Sequence, residues 1–145
     1  MADEFNLERF RQAQERDYAQ ALSELRVGRK RTHWIWYVFP QLDGLGRSST
    51  ARYYAISGMM EARAYLADPL LGTRLLECTE ALLALPTNNP TAVLGYPDDL
   101  KVCSSLTLFE AAGSGDAHWA PFGRAIDKFY AGKRDMRTLE LLDMQ

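Results

Sequence analysis

Apolar residues recur at three- and four-residue steps along most of this chain, the spacing that lines one face of an α-helix. From Asn6 to Val27, Leu7, Phe10, Tyr18, Ala21, Leu22 and Leu25 make one stripe, and Glu8, Arg9, Gln12, Glu15 and Arg16 fill the remaining positions. Gly28 is placed to end this helix, because glycine readily takes the left-handed conformation of a closing turn. Arg26 suits the negative end of its dipole. Ser48 or Ser49 can cap a second segment running toward Ile56. Ser57-Gly58 then interrupts the pattern before Met59 to Ala67, which fits two short helices or one with a kink.

Asp68-Pro69 is a restart signal, since aspartate caps free amides and proline suits the first helical position. The helix that follows, Leu70 to Leu85, carries Leu71, Leu75, Cys78 and Leu82 on one stripe with Leu76 and Leu83 beside it. That width places it centrally in a core. Pro86 to Pro90 reads as a loop, and Asn89-Pro90 starts a short helix through Leu94. Asp98 to Ala112 is a further helix with Val102, Leu106 and Phe109 as its apolar stripe. Gly113-Ser114-Gly115 breaks the pattern. Trp119, Phe122, Ile126, Phe129 and Tyr130 resume it in a helix starting close to Pro121 and ending at Gly132, and Asp135 caps a last helix with Met136, Leu139 and Leu142 facing in.

The run from Thr32 to Pro40 is ambiguous, because its β-branched and aromatic content favours a strand. A strand needs a partner, and no second run alternates to supply one. It is therefore read as a short buried helix capped by Thr32 and stopped by Pro40. The expected architecture is all-α: one domain, residues 1–145, a compact array of seven or eight short helices with no sheet.

Composition narrows the function classes. With 145 residues, 47% hydrophobic and 25% charged, the chain can bury one core and is too apolar for a disordered protein. Its longest uncharged apolar stretch, Trp34 to Pro40, is far short of the roughly 20 residues that span a bilayer. The amino terminus begins Met1-Ala2-Asp3-Glu4, acidic where a signal peptide is basic. No membrane or secretory segment is expected, and a cytoplasmic location with reduced Cys78 and Cys103 is. A net charge of −2 argues against a dedicated DNA binder. That sum hides a local cluster, however. Arg26, Arg29, Lys30 and Arg31 fall within six residues, and without them 13 cations face 19 acids, a charge of −6.

Several chemistries lack their residues. His33, Cys78, Cys103 and His118 include no pair at zinc-site spacing, so no metal is expected. There is no phosphate-binding P-loop and no serine nucleophile elbow. Gly44-Leu45-Gly46-Arg47-Ser48 echoes a dinucleotide loop but lacks its strand, and Ser49 stands where the third glycine belongs. No cofactor is expected.

Three constellations remain. In Arg29-Lys30-Arg31-Thr32-His33-Trp34-Ile35-Trp36, guanidinium can grip phosphate with two prongs while indole stacks on a base; equally, indoles in an apolar run are core and a basic cluster past a helix end is a solvated face. His33 can titrate near neutral pH or serve as a hydrogen-bonded structural histidine. In Leu45 to Thr50, glycines allow close backbone approach and a helix start offers amides to an anion, or Ser48 or Ser49 simply caps its helix. From Asp98 to Phe109, Lys101, Ser104, Ser105 and Leu108 share one helical face. The serines and Thr107 want a polar partner, either another helix or a ligand, and Lys101 can pair with Asp98.

These blocks carry a resemblance. His33-Trp34-Ile35-Trp36-Tyr37-Val38-Phe39-Pro40-Gln41, Gly44 to Ser48, Glu61 to Leu66 with Leu71 to Leu75, Asp99-Leu100-Lys101 with Ser104 to Phe109, and Phe129 to Gly132 together resemble the bacterial domain-of-unknown-function family eighteen-ten, in order from about Phe5 to Leu142. Members are mainly helical, and the resemblance implies no activity. Where the family has a basic residue and methionine around the paired serines, this chain has Cys103 and Leu106. Genomes sometimes label such proteins calpastatin-like; the helical stripes here describe a folded protein, unlike that disordered inhibitor.

The functional expectation is a pocket for an anionic small molecule such as a nucleotide or nucleotide-sugar. Lys30, Arg31 and Arg47 would hold phosphate, Trp34 or Trp36 would stack, and Gln41, Ser104 and Ser105 would orient polar edges, with His33, Ser48, Asp99 and Lys101 completing the frame. His33 and Asp99 are the only general acid–base candidates, and turnover is left open. The partner expected is a phosphate-bearing small molecule, with neither DNA nor membrane. The alternative is a protein or peptide interaction module with no small ligand.

Overall fold

The computed structural model describes residues 3–145. Its order is α1 (Glu8–Val27), α2 (Ile35–Val38), α3 (Ser49–Tyr53), α4 (Met59–Ala67), α5 (Leu71–Leu83), α6 (Pro90–Leu94), α7 (Asp98–Ala112), a 3-10 turn (Ala117–Trp119), α8 (Ala120–Tyr130) and α9 (Met136–Asp143). The fold is all-α. Nine α-helices among the described residues exceed the expected seven or eight, because the segments on either side of Ser57-Gly58 are separate helices. Among the described residues the nearest thing to a sheet is one isolated bridge between Leu42 and Ile56.

Local signals set several of the boundaries. Gly28 ends α1 at φ 87°. The side chains of Ser48, Asn89 and Asp135 accept the amides of Ala51, Ala92 and Thr138 at the starts of α3, α6 and α9. Three details differ from expectation. Thr32 does not cap α2, because its hydroxyl donates to Glu24 instead. The segment from Ser48 leaves helix after Tyr53, since Ile56 turns its amide to the Gln41 carbonyl. Met136 is 64% exposed rather than inward.

The axis of the core is α7, which packs against α2, α4, α6, α8 and α9. Every residue from Ser104 to Phe109 is buried. Sequence pattern favours α5 for that place, since α7 is diluted by serines and a threonine. Two of these three hydroxyls are met locally: Ser104 Oγ donates to the Leu100 carbonyl and Asp135, while Thr107 Oγ1 donates to the Cys103 carbonyl and accepts the Asp135 amide. The paired hydroxyls of Ser104 and Thr107 hold the start of α9 against α7. Around this axis the rings of Phe10, Tyr65, Phe109 and Phe122 run in series, with centroids 5.2, 5.1 and 6.3 Å apart, joining α1, α4, α7 and α8.

Candidate functional site

The segment between α1 and α2 is organised by one carboxylate. Glu24, 4% exposed in the last turns of α1, accepts five hydrogen bonds: from the Arg31 and Thr32 amides and Trp34 Nε1 on Oε1, and from Gln20 Nε2 and Thr32 Oγ1 on Oε2. Burial by itself would raise this carboxyl, but the Arg31 amide and the Gln20 and Thr32 donors prevail and hold it at about 2. A fixed anion thus ties down the backbone that carries the cation cluster.

From that backbone, Lys30 turns inward. Its side chain is 6% exposed, with Nζ 2.8 Å from Asp98 Oδ2 and 5.0 Å from the centroid of the Trp34 ring. Asp98 also receives Lys101, whose Nζ lies 3.5 Å from Oδ1 and 5.5 Å from the Trp36 ring centroid. Two ammonium groups therefore share one carboxylate between two indoles. Trp34 is 1% exposed, so its ring has no face free for a base; Trp36 is half-buried.

The residues on either side of Lys30 point the other way. Arg29 and Arg31 are exposed, and neither makes an ion pair among the described residues. Both line a depression of about 220 Å³ whose other walls are Gln20, Ser23, Glu24 and Val27. Ser23 lies one helical turn after Gln20, so both polar groups share one face of α1. Gln20, Ser23 and Arg29 are not among the residues chosen from sequence, although the i, i+3 spacing of the first two beside the cluster is a legible signal.

The remaining candidates are placed as follows. The structure brings Lys30, Trp34, Trp36 and Lys101 together around Asp98. Asp99 is engaged elsewhere: Oδ2 accepts Thr91 Oγ1 at 2.6 Å, and Oδ1 accepts the Leu100 amide. Ser104 serves Asp135, whereas Ser105 Oγ is buried with no hydrogen-bond partner among the described residues. His33 is exposed, and its carbonyl accepts the Tyr37 hydroxyl. Gln41 is half-buried and its carbonyl holds Ile56. Arg47 is exposed, and Ser48 caps a helix of only 5 residues. Among the described residues no group of three or more His, Cys, Asp or Glu side chains is placed to hold a metal ion, and no helix is long and apolar enough to cross a membrane.

Comparison with known proteins bears on ancestry. The model of a family described as protein of unknown function (DUF1810) matches residues 4–142. A crystal structure of the conserved hypothetical protein Rv1873 from Mycobacterium tuberculosis is similar at 48% identity with a TM-score of 0.94, covering 99% of this chain and 100% of that one. No curated protein matches.

Proposed function

The chain belongs to this family of proteins of unknown function, and from that premise we propose that it binds a small phosphate-bearing molecule, of the nucleotide or nucleotide-sugar class, through Arg29 and Arg31. The observation that carries the reading is the contrast within one short segment. Lys30 has its carboxylate in Asp98, while the two flanking guanidiniums face a depression with no carboxylate among the described residues paired to either. Guanidinium presents parallel donors that match phosphate oxygens, and two of them can grip adjacent phosphoryl edges. Ser23 and Gln20 add a hydroxyl and an amide at the wall. Glu24 keeps its negative charge at the wall, and the two guanidiniums outnumber it, two positive charges against one negative. Stacking on Trp34 is not part of the proposal, because that ring is enclosed.

Titration with pyrophosphate and with nucleoside diphosphates, followed by calorimetry, tests the reading. Binding that weakens at least tenfold in Arg29→Gln/Arg31→Gln supports it. Absence of binding at millimolar ligand, or equal binding by the double variant, sinks it. A protein-docking reading rests instead on Tyr96 and Leu100, which are 77% and 54% exposed around the start of α7. It predicts a stoichiometric partner lost in Tyr96→Ala.

A further inference from the structure

Elsewhere on the molecule, α1 and α3 enclose a groove of about 300 Å³ lined by Arg9, Gln12, Ala13, Arg16, Tyr53 and Tyr54. We infer that this groove is a second binding site, for a small aromatic anion: a planar ring bearing one terminal carboxylate or phosphate.

The site is rigidly built. Arg9, on its floor, spends its guanidinium entirely inside the protein. Nε donates to the Tyr53 carbonyl, Nη1 to the carbonyls of Phe5 and Asn6, and Nη2 to the Ala55 carbonyl and to Glu61 Oε2 at 2.8 Å. It holds the end of α3 in place and has nothing left for a ligand. Tyr54 is wedged against Phe10 and Tyr37, with ring centroids 5.8 and 5.2 Å away. Tyr53 meets the Tyr54 ring edge-on at 4.8 Å and is 56% exposed, which leaves aromatic surface facing solvent beside the groove.

Charge decides the ligand's sign. Arg16 is exposed on the rim and makes no ion pair among the described residues. The carboxylate beside it in sequence, Asp17, is engaged by the Tyr37 hydroxyl. Gln12, one turn earlier on α1, offers an amide. An unpaired guanidinium, an amide and an open phenol face suit a ligand whose ring lies on tyrosine and whose oxyanion reaches Arg16. The volume stands at the small end of ligand pockets, which excludes large cofactors. Because Arg29 and Arg31 line a different depression, this site stands independently of the phosphate-binding reading.

The test is amide NMR of the whole chain titrated separately with phenyl phosphate, benzoate and inorganic phosphate. Phenyl phosphate and benzoate should shift the resonances of Gln12, Ala13, Tyr53 and Tyr54, whereas inorganic phosphate should leave them unmoved. Arg16→Gln and Tyr53→Ala, both at exposed side chains, should each weaken the aromatic anions at least tenfold, and Arg29→Gln/Arg31→Gln should not. The inference is overturned if neither aromatic anion shifts those resonances at millimolar concentration. It is equally overturned if inorganic phosphate does so as strongly, or if both single variants bind like the parent.

Discussion

Trp34 Nε1 donates a 2.9 Å hydrogen bond to Glu24 Oε1, so the most enclosed indole of the chain and its most heavily hydrogen-bonded carboxylate hold each other across the turn from α1 to α2. Both groups are nearly without solvent, which makes their partnership expensive to break. Glu24→Ala strands the Trp34 indole N–H and the Arg31 and Thr32 amides. An expected loss of about 2–4 kcal/mol follows from several unsatisfied donors together. Urea unfolding followed by tryptophan fluorescence measures it. A loss below about 0.5 kcal/mol, the level of an ordinary surface change, would contradict the role assigned to Glu24.

The same carboxylate sets an acid limb. Its folded value of about 2 lies below the ordinary value of 4.5, and Asp3 and Asp68 are also lowered. For Asp3 the leading cause is the hydrogen bond from the Leu7 amide. For Asp68 burial opposes the shift, and the Leu71 amide and Arg11 overcome it. A depressed carboxyl contributes stability that is complete above its unfolded value and is lost as pH falls toward its folded one. Stability should therefore hold from neutral pH to about 4.5 and decline from there toward 2. Unfolding midpoints measured across that window, compared with Glu24→Gln, check this; the variant should show a shallower decline. An unchanged slope would mean that other groups carry the acid limb.

What could be read from sequence follows the range of the interaction. Gly28, Asn89 and Asp135 act within one turn, and all three end or start helices where their chemistry places them. Thr32 fails as a cap because a competing acceptor, Glu24, reaches it from the previous helix. The orientation of the cation cluster is a longer-range matter still. Lys30 faces inward because Asp98 and Trp34 wait there, and nothing local distinguishes it from Arg29 or Arg31. Likewise Arg16 and Tyr53 sit on separate helices that only tertiary packing brings to one groove. On α7 the sequence leaves open whether the serines meet another helix or a ligand, and only tertiary packing shows that Ser104 meets Asp135 at the start of α9.

Removing the carboxylate that Lys30 and Lys101 share should separate their two roles. Lys30 is 6% exposed and would be left as a buried ammonium in Asp98→Asn, whereas Lys101, 28% exposed, can turn to water. Breaking a buried pair from one side costs about 3–5 kcal/mol, against 0–1 kcal/mol for an exposed one. Because Asp98 is itself partly open, about 2–3 kcal/mol is expected for Asp98→Asn. Lys101→Met should change stability by less than about 1 kcal/mol. Lys30→Met in the Asp98→Asn background should recover part of the loss, since the unpaired charge is gone. Thermal unfolding of the four proteins supplies the comparison, and no recovery in the double variant would refute the pairing argument.

The two thiols should differ in both rate and order of reaction. Cys78 is fully enclosed on α5, and burial pushes its thiol up to about 12. Cys103, half-buried on α7, is pushed up to about 11, chiefly by burial and further by the nearby Asp135 carboxylate. Since the thiolate is the reacting species, a thiol near 11 holds roughly a hundredth or less of the thiolate of a free cysteine at neutral pH. Native protein treated with a disulfide reagent at neutral pH should therefore modify Cys103 alone, about a hundredfold more slowly than a small thiol. Cys78 should react only at the rate of unfolding. Raising the pH from 7 to 9 should speed the Cys103 reaction close to a hundredfold, because its thiolate fraction is still climbing tenfold per unit there. Peptide mass mapping identifies the modified residue at each time point. Modification of Cys78 first, or a rate for Cys103 that levels off below pH 9, would show that the packing around α5 or the field of Asp135 is other than described.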